Sequence, residues 1–221
     1  MKYTFVDIGC GAACVSVDIY GLNVHGLLVE PIPECCNCLP NSNTVLIECS
    51  AIGSKNTKLN ITTPIKQDEI LEYLPSNIQD NEEKLQRYFK TKNLTKYSGK
   101  GLPFGLSSFL SKQELPWECE LYERTVNMIT LKDLFVKYNI TEIEQLKIDV
   151  EGHESIVLNQ LITLMRNNEV IITDKLIFEY NFFSDLNELD KLKDIIATEF
   201  GFTYEYIEFG TNQDIIMKKI K

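Results

Sequence analysis

Short aliphatic and β-branched runs alternate with stretches of helical periodicity along this chain of 221 residues. This alternation predicts βαβ units and a parallel sheet. Two runs near the C-terminus are separated by only a short polar segment, which predicts a hairpin and therefore an antiparallel last strand. The predicted strands cover residues 4–8, 24–29, 44–49, 145–150, 175–180, 202–209 and 214–218.

Apolar residues at helical spacing predict helices between these strands. One helix is expected to follow Gly152 and another to precede Gly201, because leucines and isoleucines fall on one face in both segments. Thr130 and Asp133 have the spacing of a capping box, which predicts that a helix opens there and covers 131–138.

The stretch from Ser54 to Glu123 interrupts the alternation of strands and helices. It shows no clear strand pattern, and an acidic block at 68–83 precedes a basic block at 84–100. Long connections inside a compact domain are usually functional or disordered. We therefore interpret 1–221 as a single domain with an insertion at about 54–123 that forms a cap or an acceptor-recognition region.

Charge and cysteine usage narrow the class of protein. The chain has 22 Lys and Arg against 32 Asp and Glu, a net charge of −10 that disfavours duplex nucleic acid as a partner. No apolar run reaches the roughly 18 residues of a membrane span, and no signal peptide is recognisable. Seven cysteines without secretory context indicate reduced thiols. We expect a cytoplasmic protein.

The strongest local signal is a strand that ends in a glycine-rich turn and continues into a helix. Gly9 and Gly11 would let a ligand approach the backbone closely. Cys14 stands where a dinucleotide fingerprint needs a third glycine, which disfavours a nicotinamide oxidoreductase. The turn fits the Asp-x-Gly-x-Gly pattern of methyltransferases, with Asp7 facing the cofactor amino group and Glu30 accepting from ribose hydroxyls. The alternative is a plain tight turn after a buried strand.

A second group of acids follows the predicted fourth strand. Strand alternation would direct Asp149 and Glu151 to the same side. The carboxyl ends of parallel strands line the ligand crevice of an open sheet. We therefore expect acids from four strands to converge there: Asp7, Glu30, Asp149 and Glu179. The competing interpretation is structural, with Glu154 stabilising a helix dipole and Glu179 capping a helix.

Four blocks of the chain resemble the FkbM family of S-adenosylmethionine-dependent methyltransferases, over nearly its whole length. They are Val6-Asp7-Ile8-Gly9 with Ser16, Val29-Glu30-Pro31, the run from Leu146 to Glu154, and Ile177-Phe178-Glu179. The resemblance implies an α/β fold of the class I methyltransferase (Rossmann-like) type. That fold has a seven-stranded, mostly parallel sheet with an antiparallel last strand and helices on both faces. It also implies methyl transfer from S-adenosyl-L-methionine to a hydroxyl of a sugar or small molecule.

The resemblance also implies roles for single residues. Those expected to bind the cofactor are Asp7, Gly9, Gly11, Ser16, Glu30, Pro31, Ala51, Ile52 and Asp149. Those expected to bind the acceptor are Ser107, Ser108 and Glu179. The chain departs from the family pattern in the glycine turn, where Gly11 replaces an Asn and Ala13 a Gly. Cys49 stands where we expect an Asn near the adenine.

A hydroxyl acceptor requires a group that removes its proton. The predicted catalytic residues are Asp149, Glu151 and His153. His153 is the natural base because the pKa of a histidine lies near neutrality, while Asp149 either takes the proton or orients the acceptor. We predict no metal. Magnesium or manganese among the acids near Asp149, and zinc at the cysteines of 35–38, are the less favoured alternatives.

Two further expectations concern partners. Because the chain begins almost at its first strand, we expect the insertion or a second subunit of a homodimer to cover the cofactor. The basic segment 84–100 either holds an anionic acceptor or is a solvated helix face. The rival to an enzyme is a catalytically inactive cofactor-binding or partner-binding module with the same fold.

Overall fold

The computed structural model describes residues 1–11, 15–63, 122–181, 183–209 and 212–220. Seven of its strands form the main sheet: β1 (Lys2–Ile8), β2 (Gly26–Val29), β3 (Val45–Glu48), β7 (Glu142–Ile148), β8 (Ile171–Tyr180), β9 (Phe202–Phe209) and β10 (Asn212–Lys219). Their order across the sheet is β3-β2-β1-β7-β8-β10-β9. The pairs from β3 to β8 are parallel, and β10 is antiparallel to both β8 and β9. The predicted mostly parallel sheet with an antiparallel last strand is confirmed.

Five helices connect these strands in the described part of the chain: α1 (Val15–Tyr20), α2 (Pro33–Cys38), α3 (Leu131–Lys137), α4 (Glu154–Arg166) and α5 (Leu186–Phe200). The last three lie where apolar spacing and the capping box predict them. The side-chain oxygen of Thr130 accepts the backbone N–H of Asp133, which confirms the predicted cap of α3. The last helix, α5, ends at Gly201, whose φ of +65° is the left-handed conformation that glycine tolerates.

A second sheet of three strands lies in and beside the predicted insertion. Its strands are β4 (Ala51–Ile52), β5 (Thr57–Thr63) and β6 (Tyr122–Ile129), in the order β4-β6-β5. The prediction that 54–123 carries no strand is therefore wrong at both ends. The signal in β6 was strict alternation, because Arg124, Val126 and Met128 are buried while their neighbours are exposed. The predicted cap at 64–121 lies outside the described residues.

The core of the main sheet lies between its central strands and the helices beside them. Leu146 and Ile148 of β7 are fully buried, as are Val157, Leu158 and Leu161 of α4. Each such side chain contributes roughly 1.5–3 kcal/mol by leaving water. Because helices cover both faces of a parallel sheet, its strands become nearly continuous apolar runs. The apolar runs end where the strands leave the core. Polar residues such as Glu30 and Asp149 follow directly after those ends.

In the part of the chain that the structure describes, no helix is both long enough and apolar enough to cross a membrane.

Candidate active site

The turns after β1 and β7 are joined at the carboxyl edge of the sheet. The backbone N–H of Asp149 donates to the carbonyl of Ile8 at 2.9 Å, and the N–H of Gly9 donates to the carbonyl of Val29 at 2.8 Å. These bonds continue the sheet register beyond the strands. The first residues after β1, β2 and β7 are thereby held in one crevice.

The two glycines of the first turn serve different purposes. A Cβ atom at Gly9 would lie 1.6 Å from the backbone carbonyl oxygen of Asp149, and the φ of Gly9 is +81°. Gly9 therefore permits close packing of the two turns. Gly11 has a φ of +62°, and among the described residues no atom lies within 4 Å of where its Cβ would be, so they leave space open beside it. Only Gly11 has the open surroundings that the sequence analysis expected of both.

Glu30 lies at the end of β2 and braces the glycine turn. Its carboxylate accepts the backbone N–H of Gly11 at 2.9 Å and that of Ile32 at 3.0 Å. Burial raises the pKa of Glu30 to about 7, although the two N–H donors lower it. A carboxylate has about four acceptor sites, so Glu30 can still accept from a ligand hydroxyl. This side chain changes charge near neutral pH.

Asp7 is the most buried acid of the crevice, with 1% of its surface exposed. Its Oδ2 accepts the hydroxyl of Ser16 at 2.6 Å, while its Oδ1 makes no hydrogen bond. Burial raises the pKa of Asp7, and the ammonium of Lys147 lowers it. In this structure Ser16, a predicted cofactor-binding residue, orients Asp7.

Three of the predicted acids meet on the other side of the crevice. Carboxylate oxygens of Asp149, Glu151 and Glu179 lie within 4.8 Å of one another. Strand alternation is not the reason, because β7 ends at Ile148 and Glu151 has a φ of +49°. The reversal of the chain in this turn brings Glu151 back toward the sheet. This spacing would allow a divalent cation to bind, so the less favoured metal interpretation keeps a geometric basis.

The carboxyls of Glu151 and Glu179 compete for ionisation. Burial raises the pKa of Glu151 well above its usual range, and the charges of Glu179 and Asp149 raise it further. Burial and the charge of Asp149 raise the pKa of Glu179 to about 9. Two carboxyls this close to each other do not both ionise easily. We therefore expect this pair to retain a proton at neutral pH.

Glu154 shapes the turn from below and is completely buried. Its carboxylate accepts the backbone N–H of Val150 at 2.9 Å, the N–H of Gly152 at 3.1 Å and the hydroxyl of Ser184. These bonds support the structural interpretation of Glu154. The carboxylate stabilises the turn after β7, in addition to any effect on the helix dipole. The sequence offered no sign that Ser184, more than 25 residues away, would complete this set.

His153 immediately precedes α4 and is half-buried. Its side chain makes no capping hydrogen bond to the helix. Burial lowers the pKa of His153, so the imidazole is neutral at physiological pH. A neutral imidazole accepts a proton, which keeps the predicted role chemically reasonable.

Two charged residues of the crevice were not singled out from the sequence. The ammonium of Lys147 lies 2.8 Å from Oδ2 of Asp149 and 3.9 Å from Oδ1 of Asp7. Asp214 on β10 pairs in register with Glu179, and burial and the charge of Asp149 raise the pKa of Asp214. The position of Asp214 depends on the hairpin register, which local pattern does not reveal.

The remaining predicted site residues divide into three groups. Pro31 follows Glu30 and is half-buried, as expected for a residue beside the ligand. Ala51 and Ile52 form β4 and are 3% and 1% exposed, and their contact with the cofactor stays a prediction. Ser107 and Ser108 lie outside the described residues.

Two cysteines of α2 have side chains that the structure describes. Cys35 is completely buried, and the thiol of Cys36 donates to the carbonyl of Glu30 at 3.0 Å. Cys49 is half-buried and its thiol is hydrogen bonded to that of Cys36. Among the described side chains, these cysteines form no group of three ligands that would hold zinc.

A polar groove runs beside the second sheet, close to Cys49. It has a volume of about 620 Å³ and is lined by Glu48, Ser50, Lys58, Lys137 and Tyr138, among others. Glu48 is 5% exposed and accepts from Lys137 at 2.6 Å, Ser50 at 2.7 Å and Tyr138 at 2.8 Å. Burial alone would raise the pKa of Glu48. The three donors lower it by more than burial raises it, so the pKa lies below its usual value.

The order and directions of the seven strands are those of the class I methyltransferase fold. The sequence profile of the methyltransferase FkbM domain matches residues 12–209, and the chain belongs to this family. The suspected family is confirmed.

Similarity to solved structures is much weaker. A human methyltransferase 10 domain containing protein has 10% identity and a TM-score of 0.39, with 100% of this chain and 73% of that chain covered. The METTL16 methyltransferase domain lacking its N-terminal segment has 11% identity and a TM-score of 0.36, with the same coverage. Among curated proteins, none matches the chain.

Proposed function

We propose that this protein transfers a methyl group from S-adenosyl-L-methionine to a hydroxyl of a sugar or small-molecule acceptor. The observation that carries the proposal is the division of the crevice into two acidic sides. Asp7 and Glu30 surround the open glycine turn, while Asp149, Glu151 and Glu179 meet opposite them. Family membership supports methyl transfer in general. The oxygen acceptor and the cofactor are part of the proposal.

The residues around the glycine turn fit this cofactor. Oδ1 of Asp7 is buried and makes no hydrogen bond, which suits a positively charged amino group. The carboxylate of Glu30 keeps acceptor sites for ribose hydroxyls, and the space beside Gly11 is open. When bound, the cofactor supplies an electrophilic methyl group on a sulfonium sulfur.

The residues of the opposite side suit a hydroxyl acceptor. In this proposal Asp149 orients the hydroxyl, and the neutral imidazole of His153 accepts its proton. The carboxyl pair of Glu151 and Glu179 retains a proton, so one of its members donates a hydrogen bond. Alignment of the reacting groups then provides much of the rate enhancement.

The first test is a calorimetric titration with S-adenosylmethionine and S-adenosylhomocysteine, with NAD as the control ligand. We expect both sulfur compounds to bind and NAD not to bind. Glu30→Ala should weaken binding by about 1.5–3 kcal/mol, the value of a hydrogen bond to a charged group. Glu123→Ala, which removes an exposed carboxylate outside the crevice, is the matched control and should have no effect. If neither sulfur compound binds, the proposal is wrong.

The acceptor is tested with radiolabelled cofactor and a panel of sugars, sugar nucleotides and small-molecule alcohols. Label that resists base hydrolysis, on an acceptor whose only nucleophilic groups are hydroxyls, indicates an ether and hence transfer to oxygen. Binding of the cofactor without transfer to any acceptor would favour the inactive binding module instead. The cytoplasmic location and the homodimer stay predictions.

A metal-assisted version of the same reaction is the second candidate. The spacing of Asp149, Glu151 and Glu179 favours it, because three carboxylates this close bind divalent cations well. Chelation followed by addition of magnesium or manganese distinguishes the two versions. Activity that survives chelation supports the metal-free version that the sequence predicts.

A further inference from the structure

Lys147 is a cation shared among several carboxyls of the crevice. Its side chain is 22% exposed and projects from β7 between the two acidic sides. Its charge acts on carboxyls from two strands and from the turn after β7: Asp7, Asp149, Glu151 and Asp214. No other lysine or arginine among the described residues forms an ion pair with these acids.

The sheet register determines this arrangement. Lys147 lies directly opposite Asp7 in the parallel pair of β1 and β7. Its ammonium is 3.9 Å from Oδ1 of Asp7 and 2.8 Å from Oδ2 of Asp149. Ser16 donates to Oδ2 of Asp7. The ammonium of Lys147 therefore faces the other oxygen, Oδ1, which makes no hydrogen bond. Lys147 therefore connects the cofactor side to the acceptor side.

The charge of the ligand changes during the proposed reaction, and the crevice carries more negative than positive groups. S-Adenosylmethionine has a positive sulfonium that S-adenosylhomocysteine lacks. An excess of buried carboxylates favours the charged ligand, and a resident ammonium reduces that preference. The same ammonium also holds Asp149 in one orientation.

We propose that Lys147 is a positioning residue that orients Asp149 and limits how strongly the crevice prefers S-adenosylmethionine to S-adenosylhomocysteine. This inference rests on the proposed function. It assigns to Lys147 a role in selectivity between the cofactor S-adenosylmethionine and its product S-adenosylhomocysteine. The role predicts a ratio of two affinities and does not depend on turnover.

The test compares dissociation constants of the two sulfur compounds for the wild type and for Lys147→Met. Loss of the ammonium should increase the ratio of the S-adenosylhomocysteine constant to the S-adenosylmethionine constant by about threefold or more. Lys147→Arg, which keeps the charge, should restore the ratio. A purely structural role would weaken both ligands equally and leave the ratio unchanged.

Lys193 offers a matched control. It is also a buried lysine paired with a carboxylate, at 5% exposure and 2.7 Å from Asp190, but it belongs to α5. Lys193→Met removes one buried positive charge without touching the crevice and should leave the ratio unchanged. An equal rise in both variants would show only an effect of net charge and would overturn the assignment to Lys147.

A second substitution keeps the inference testable if Lys147→Met does not fold. Asp149→Asn removes a negative charge beside the same ammonium, and we expect it to shift the ratio in the opposite direction. The double variant should return toward the wild-type ratio, since both charges of the pair are then absent. A ratio unmoved by every one of these variants overturns the inference. Failure of the wild type to bind either compound overturns the proposed function instead.

Discussion

The polar groove and the crevice each contain a buried glutamate, and the pKa values of the two carboxyls shift in opposite directions. Glu48 of the groove is 5% exposed and has three donors, and the pKa of this carboxyl is lowered overall. Glu179 of the crevice is 7% exposed, and burial and the charge of Asp149 raise its pKa to about 9. Similar burial thus leads to opposite ionisation because the neighbours differ.

The comparison separates a structural acid from a candidate functional one. Lys137 and Tyr138 link α3 to the end of β3 through Glu48, so ionisation of Glu48 stabilises that connection. In the crevice, like charges are placed together at a cost in stability. Such clusters of perturbed carboxyls are typical of sites that bind a ligand or transfer a proton.

The largest expected effect comes from the turn that brings the crevice acids together. Gly9→Ala would place a Cβ 1.6 Å from the carbonyl oxygen of Asp149 at a φ of +81°. We expect a loss of more than about 3 kcal/mol of unfolding free energy, or failure to fold. Gly11→Ala is the matched control, because its Cβ meets no atom, and should cost about 1 kcal/mol. Chemical denaturation measures both, and equal losses would contradict the packing role of Gly9.

The next effect tests the groove. Glu48→Gln removes the negative charge that pairs with Lys137. It also replaces a carboxylate that accepts three hydrogen bonds by an amide with a single acceptor oxygen. Lys137 is more than half exposed, so solvent screening reduces the contribution of the ion pair. We expect a loss of about 1–3 kcal/mol in unfolding free energy, mainly from the unsatisfied donors. An unchanged denaturation midpoint would show that Glu48 is not structural.

The third effect concerns Glu30 and cofactor binding. Burial raises the pKa of Glu30 to about 7, so the carboxylate fraction increases as pH rises through neutrality. Because ribose hydroxyls donate to the ionised form, affinity for S-adenosylmethionine should increase between pH 6 and 8, by at most about tenfold. Glu30→Gln removes this group and should flatten the profile. Calorimetry at several pH values provides the test, and affinity that falls with pH would contradict the assignment.

The smallest effect has the opposite sign from that of Glu48→Gln. Glu179→Gln removes a carboxyl from among like charges and keeps its shape. We expect unfolding free energy at pH 8 to stay the same or increase by about 1 kcal/mol, while methyl transfer falls. A gain in stability with a loss of function is common at sites held in an unfavourable state. A loss as large as that of Glu48→Gln would remove the contrast between the two regions.

Much of the main sheet could be predicted because its strands are buried on both faces. Residues such as Val6 and Leu146 belong to apolar runs, which can be recognised as strands without knowing which strands they pair with. All three strands of the second sheet were missed, and in β5 and β6 polar residues interrupt the apolar ones. Buried residues alternate with exposed ones along β6, and β4 is only two residues long, so the pattern in this sheet is weaker than a continuous apolar run.

The acids of the candidate site could be found by residue type and position, but their surroundings could not. Asp7, Glu30, Asp149 and Glu179 follow or end strands, which predicts their common edge. The support of Glu154 by Ser184 and the sharing of Lys147 between Asp7 and Asp149 depend on distances across the sheet. Those distances arise only when the register and the turns are formed.

The sequence alone determined the family, the parallel sheet and the acids that follow its strands, because these depend on local pattern and residue chemistry. Only the tertiary structure decided that Gly9 is required by the Asp149 turn, that Glu48 accepts from three donors and that Glu179 lies among like charges. The physical reason is that the ionisation of a buried carboxyl depends on the donors and charges within a few ångströms of it. Residues far apart in the chain supply those neighbours.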